Sequence, residues 1–333
     1  MKPIPLRILG SGEFVPSHRI GSEEFDRSFN RAAGWTFRQT GVRSRAFARA
    51  GESVVTMGAS AARQALANAG MSGEELDLII AVGSVPAQAI PCTAVLLQRE
   101  LGLAGEGTPA FDVNATCLGF LAALDLVAQG IATERYRAVL IVASERPSIG
   151  LRQSDASTAA LFGDGAGAII IAAGHSDTDG ALLASHFQTF SRGAEFCRIR
   201  AGGSDLNPHT DHVAYADACY FEMRGRQMYR LAVERMPEFL DALLDRARIG
   251  PQDVDVWVPH QASAHGVEHM RAALRLPPDR FVSTLETRGN QVAASMPVAL
   301  HHAIRCGMVR SGQIVALIGT GAGLSFGGAV LRY

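Results

Sequence analysis

The sequence predicts an α/β protein built from two related halves, and three observations carry that prediction. Amphipathic helix patterns alternate with short apolar strands rich in branched residues. Segments of the first half recur 178 residues further on. Each half then closes in a Gly-rich apolar stretch that reads as a hairpin, GDGAGAIIIAA (163–173) and GLSFGGAVLRY (323–333). The bulk properties agree. A chain of 333 residues is long enough for two structural units, and 47% hydrophobic against 19% charged residues, with 35 glycines, suits a compact α/β protein rather than a disordered one.

Val54, Met57, Ala61 and Ala65 mark one face of a helix that ends at Gly70, and LDLIIAV (76–82) follows as a strand. The stretch after Cys117, GFLAALDLVAQG, is apolar nearly all round with Asp125 its only charge, so it is predicted as a helix buried between sheets. Residues 190–222 carry no clear periodicity and hold the polar run SDLNPHTDH, which predicts a long surface excursion or a lid. Met228, Ala232, Met236, Phe239 and Leu243 then mark a second amphipathic helix, with a kink expected at Pro237. The strand VDVWVPH (254–260) comes next, and SMPVAL opens a second buried helix whose Pro297 fits the first turn. A single shift of 178 carries Leu76, Asp77 and Leu78 onto Val254, Asp255 and Val256, Cys117 onto Ser295, and AVLIV (138–142) onto ALIGT (316–320). The two halves are expected to be residues 1–177 and 178–333.

Other classes are set aside on composition. A net charge of −1 without a Lys/Arg-rich run gives no footprint for nucleic acid. The opening MKPIPLRILGSG lacks the apolar stretch of a secretory signal, and no run approaches ~18 apolar residues, so a cytoplasmic protein without a membrane span is expected. The five cysteines, Cys92, Cys117, Cys197, Cys219 and Cys306, are scattered and odd in number, so reduced thiols are expected.

Three residues stand where α/β proteins place their chemistry. Cys117, in DVNATCLGF, lies between a strand and an apolar helix, at the positive end of the helix dipole, a placement that favours thiolate. His260 ends the strand VDVWVPH, and the duplication sets it opposite the apolar Val82, which points to specialisation of one half. Asn290, in RGNQVAAS, lies in the turn that opens the second buried helix. His301 and His302 follow in that helix, and only the direction in which each faces decides its role. A dinucleotide fingerprint in GDGAGA is rejected because another strand, not a helix, follows it; a tight turn with close backbone packing is expected there. His209, Asp211 and His212 in PHTDH are read as a solvated loop rather than a metal site, because no third His or Cys ligand stands near at metal spacing.

The contexts ATCLGF, VPHQAS and GNQVAAS, together with GDGAGA, GTGAGLSFGG and the closing GGAVLRY, resemble the β-ketoacyl-acyl-carrier-protein synthase III family from the first strand to Tyr333. The resemblance implies a thiolase-like five-layered αβαβα fold and a homodimeric acyltransferase of lipid metabolism. By that likeness, Cys117 takes an acyl group from acyl-CoA or acyl-carrier protein, and the backbone N–H groups of Cys117 and Ala322 hold the tetrahedral oxyanion. His260 and Asn290 then donate hydrogen bonds to the enolate formed when a malonyl thioester loses carbon dioxide, in fatty-acid or secondary-metabolite synthesis. No metal or redox cofactor is implied.

The sequence also departs from the family. Trp35 keeps a tryptophan that stacks on the CoA adenine, but the arginine expected opposite it is Ala156. Another expected arginine is Gln39, with Arg38 displaced by one. Ser263 replaces an asparagine, His265 stands where an arginine faces the carrier protein, and Arg230 replaces a lysine there. Ile90 takes the place of a phenylalanine that crosses the dimer and limits the acyl pocket. These departures imply a specialised member using a medium-chain, branched or secondary-metabolite acyl donor. Transfer to a hydroxyl or amine acceptor, thioester hydrolysis, and acyl binding without catalysis remain open, because Cys, His and Asn serve those chemistries as well.

Overall fold

A computed structural model describes residues 2–176, 179–210 and 212–333. The expected boundary between halves, at 177/178, and Asp211 of the PHTDH run lie outside the described residues.

Nine strands form one sheet: β1 (Ile4–Phe14), β2 (Leu78–Val82), β3 (Ala110–Val113), β4 (Ala138–Glu145), β5 (Gly165–Ala173), β6 (Ala181–Gly193), β7 (Val256–Pro259), β8 (Ile314–Gly321) and β9 (Gly323–Arg332). Their order is β7-β8-β9-β6-β1-β5-β4-β2-β3. The sheet is two sub-sheets joined where β1 meets β6, at Ile4 opposite Leu182 and Pro5 opposite Ala181. Six helices matter for layering: α1 (Val54–Ala69), α2 (Thr93–Glu100), α3 (Gly119–Ala132), α4 (Gly225–Ala247), α5 (Ala264–Ala273) and α6 (Ser295–Arg305).

The layers follow from the two-residue period of the strands. Leu78, Ile80, Val139 and Ile141 on one sub-sheet, and Val256, Val258, Val315 and Leu317 on the other, pack with α3 and α6 in one cluster, so those helices form the central layer. The alternate residues Ile79, Ala81, Leu140 and Val142 face α1 and α2. Trp257, Ala316 and Ile318 face α4 and α5. The result is the expected five-layered αβαβα stack. α1 ends as predicted, with Gly70 at φ 64, and α4 runs as one helix through Pro237.

The duplication is real but its register is not uniform. An offset of 178 holds from the left-handed cap residues Gly70 and Arg248 through the starts of β2 and β7. Beyond the loop regions the offset is 176: the short turn Thr116–Leu118 matches Val292–Ala294, α3 starts at Gly119 and α6 at Ser295, and β4 starts at Ala138 and β8 at Ile314. The structural counterpart of Cys117 is therefore Ala293, not Ser295. Ladder pairing reports the same slip, since Leu78 lies opposite Val139 but Val256 opposite Val315.

The closing hairpins also differ. β8 and β9 are joined by Ala322 alone. β4 and β5 pair antiparallel, but residues 146–164 intervene as an excursion carrying two short helical turns. The 190–222 segment docks against this excursion. It holds a two-stranded pair (Cys197–Arg198 with Glu222–Met223) and a helix at His212–Ala218. Asp217 takes ion pairs from Arg152 and Arg200, the Phe221 N–H donates to the Gly150 carbonyl at 2.8 Å, and Phe221 meets Phe162 edge-on. These contacts give the excursion a fixed footing.

Candidate active site

Two turns of the same construction carry the site. In the first, the Asn114 Oδ1 accepts from the Thr116 N–H at 3.0 Å and Cys117 follows. In the second, the Asn290 Oδ1 accepts from the Val292 N–H at 2.8 Å. Thr116 and Val292 both sit in the left-handed region, at φ 50 and 52. For β-branched residues that conformation costs on the order of 1–3 kcal/mol each, and it persists because the surrounding packing over-determines the turns.

Each turn is held by the far end of a strand from the other half. At the end of β4, the buried Glu145 Oε1 accepts from the Ala293 N–H at 3.3 Å and from the Ser84 N–H at 2.7 Å. At the end of β8, a Cβ added to Gly321 would lie 2.7 Å from the Thr116 Oγ1 and 3.3 Å from Leu118, so only glycine lets the strand approach the Cys117 turn this closely. Gly319 does the same for His260: a Cβ there would lie 2.8 Å from the His260 Cβ, 3.3 Å from the Met296 Cε and 3.4 Å from the Leu118 Cδ2. The Cys117 turn, His260 and the Asn290 turn are thereby gathered around the ends of β4 and β8. Ala322, next to Gly321, stands at the tip of the β8–β9 turn beside them.

GDGAGA packs against the Asn290 turn, as its predicted role of close backbone packing requires. The Gly163 N–H donates to the Asn290 carbonyl at 3.0 Å, the Asn290 N–H donates to the Leu161 carbonyl at 3.0 Å, and a Cβ at Gly165 would meet Gln291 Nε2 at 2.0 Å. The Asn290 amide is fixed in direction: its Nδ2 donates to the Ala262 carbonyl at 3.2 Å while its Oδ1 is taken by Val292. One Nδ2–H remains beyond that bond for a ligand.

Electrostatics separate the residues. Burial pushes the His260 imidazole down to about 4, so it is neutral at physiological pH, and its Nδ1 is buried without a hydrogen-bond partner among the described residues. Burial also pushes the Cys117 thiol well above its ordinary range, and the negative charge of Glu145 adds to the rise. Burial thus opposes the helix-end placement that favours thiolate. The sulfur lies among densely packed atoms although the residue keeps partial exposure. Glu145 itself is pushed up to about 7 by burial.

The predicted substrate-binding residues are spread more widely. Trp35 and Arg38 lie on the short helix Trp35–Thr40, and a Cβ at Gly41 just beyond it would lie 2.3 Å from the Ala264 Cβ, which brings that helix to the start of α5. Arg38 folds back, its Nη1 donating to the Ala33 carbonyl at 3.4 Å. The guanidinium of Arg31, which sequence reasoning passed over, lies 5.0 Å above the Trp35 ring. Ser263 is the N-cap of α5, its Oγ accepting from the Gly266 N–H at 3.1 Å, which leaves its O–H free to donate. His265 and Arg230 are exposed on α5 and α4. Ile90 stands apart at 87% exposure on the loop after β2, beside a cavity of about 230 Å³ lined by Val82, Cys92, Asn114 and Ser144. His301 faces inward, its Nδ1 2.9 Å from the Ser11 Oγ, whereas His302 faces solvent. Glu145 was missed altogether. Its signal in the sequence was a lone acid ending the run AVLIVASE.

Comparison with known proteins places this arrangement. Residues 111–191 match the family described as 3-oxoacyl-[acyl-carrier-protein] synthase III, and residues 244–333 match its C-terminal family. The β-ketoacyl-[acyl-carrier-protein] synthase III of Aquifex aeolicus is 33% identical over 98% of this chain and 99% of its own. The acetoacetyl CoA synthase NphT7 of a Streptomyces species is 33% identical over the whole of both chains. Among solved structures, the Aquifex aeolicus 3-oxoacyl-[acyl-carrier-protein] synthase III superposes with a TM-score of 0.89 at 31% identity, covering 98% of this chain and 100% of its own. The priming β-ketosynthase of the R1128 polyketide pathway reaches 0.89 at 30%, covering 99% and 96%. With its fold and these relatives in agreement, the chain belongs to the 3-oxoacyl-[acyl-carrier-protein] synthase III family, enzymes of the transferase class.

Proposed function

We propose that the protein forms an acyl thioester on Cys117 from acyl-CoA or acyl-carrier protein and condenses it with a malonyl thioester to a β-ketoacyl product. The observation that carries this reading is the convergence of Cys117, neutral His260 and the oriented Asn290 amide around the ends of β4 and β8. The raised thiol pKa means that deprotonation accompanies attack, and neutral His260 and Glu145 are the bases near at hand. The backbone N–H groups of Cys117 and Ala322 serve as the oxyanion hole. Once the acyl group is parked, a neutral imidazole and a carboxamide are suited to donate hydrogen bonds to an enolate oxygen, because neither needs to gain a charge. The chemistry asks for no metal or redox cofactor.

Incubation with acetyl-, octanoyl- and branched acyl-CoA, and with the matching acyl-carrier proteins, tests this by intact mass. A mass gain absent from Cys117→Ala, discharged by malonyl thioester as a β-keto product, is the expected result. No adduct with any donor, or discharge only by water or another acceptor, sinks it.

The working form is proposed to be a homodimer joined across β3. That strand ends the sheet order and exposes Phe111 at 42%, and the nearby Ile90 presents an apolar side chain almost free of its own chain. A second copy of the same edge would satisfy both. Phe111→Asp is expected to shift the protein from dimer to monomer mass in light scattering at micromolar concentration; an unchanged dimer would place the interface elsewhere.

A further inference from the structure

Between α4 and α5 runs a groove of about 380 Å³, within the range of small-ligand sites. Ala232, Met236 and Leu240 wall it from α4, and Val267 and Met270 from α5. One part of it is lined by His260, Gly319 and Thr320, at the carboxyl ends of β7 and β8, and another by Pro251 and Gln252, just before β7 begins. It therefore follows the length of that strand's helical cover, from the catalytic histidine to the opposite edge of the sheet. Neither Cys117 nor Asn290 lines it. The groove thus touches the site through His260, one of the two residues assigned to the acceptor, and not through the residue that carries the acyl group. Two unbranched methionines on facing walls suit a flexible hydrocarbon of variable length.

We propose that this groove holds an alkyl chain borne on the α-carbon of the acceptor thioester, so that the enzyme condenses 2-alkylmalonyl thioesters as well as malonyl ones. The proposal rests on the acyl-enzyme reading above and extends it to the second substrate. The step balances without a further reagent. The 2-alkylmalonyl thioester loses carbon dioxide, and the electron pair of the broken C–C bond becomes the enolate. The α-carbon of the enolate attacks the acyl carbonyl on Cys117, the C–S bond breaks, the sulfur leaves as thiolate and takes a proton, and a 2-alkyl-3-oxoacyl thioester is released. Malonyl leaves the groove empty, whereas each methylene moved from water into it favours binding about fourfold.

The test begins with enzyme acylated on Cys117, verified by mass, and compares malonyl-, methylmalonyl- and hexylmalonyl-CoA as acceptors by kcat/KM. Hexylmalonyl is expected to exceed methylmalonyl at least tenfold. Met236→Trp and Met270→Trp, which fill the groove from opposite walls, are expected to cut that ratio at least tenfold; because both acceptors are measured on the same acylated variant, a general loss of folding cancels. No condensation of hexylmalonyl, or a ratio unmoved by both variants, overturns the groove while leaving malonyl condensation standing. Failure to form acyl-enzyme or to condense malonyl overturns the underlying reading, and the groove proposal with it.

Discussion

His260→Ala is expected to leave acyl loading on Cys117 detectable while slowing condensation with malonyl thioester by about 10³-fold, the scale on which a positioned oxyanion donor acts. Asn290→Ala should behave alike, because its amide is fixed by Ala262 and Val292 and donates from a set position. Single-turnover mass spectrometry separates the two steps: equal loss of loading and condensation would make His260 chiefly the base for Cys117. The histidine also leaves a mark on stability. Its folded-state pKa, about 4, lies below the unfolded value of about 6.5. The unfolded chain therefore binds more protons between those values, and the stabilisation present above pH 6.5 is lost as pH falls toward 4. The amount is on the order of 3 kcal/mol, and His260→Ala should abolish that part of the pH dependence. A denaturant titration series from pH 7 to pH 4.5 measures it.

The sequence made His260 legible for a physical reason. A polar residue at the end of VDVWVPH, matched to Val82 by an offset that holds through that strand, marks a broken apolar pattern. The counterpart of Cys117 was misread as Ser295 for an equally physical reason. A slip of two residues preserves which face each strand residue points to, so the strands at 138 and 314 satisfy the apolar pattern at offset 176 or 178. The helices between them are largely buried, which leaves too little polar contrast to choose the register. Composition and helix position also suggested a thiolate at Cys117. The opposing burial of the thiol, and the charge of Glu145 from the end of β4, arise only when the folded chain brings these segments together.

Glu145→Gln is expected to make the protein more stable at pH 8, by up to about 3 kcal/mol, and to make Cys117 more reactive toward iodoacetamide. The folded-state pKa of Glu145, about 7, lies above its ordinary 4.5, so the native chain holds its proton more tightly than the unfolded chain. Stability from this group is present below pH 4.5 and is lost as pH rises through 7. A glutamine oxygen can still accept from the Ser84 and Ala293 N–H groups, so the Asn290 turn keeps its tie to β4 while the buried charge is gone. Glu145→Ala, by contrast, leaves those two donors without their acceptor, at about 1–3 kcal/mol each, and should slow condensation by loosening Asn290. The wild-type pH curve alone does not reveal the effect, because between pH 4.5 and 6.5 His260 gains stability with rising pH while Glu145 loses it. The difference between wild type and Glu145→Gln isolates the carboxylate: it should grow from pH 5 to pH 8. A flat difference would mean that Glu145 titrates in its ordinary range and carries its charge near Cys117 throughout that span.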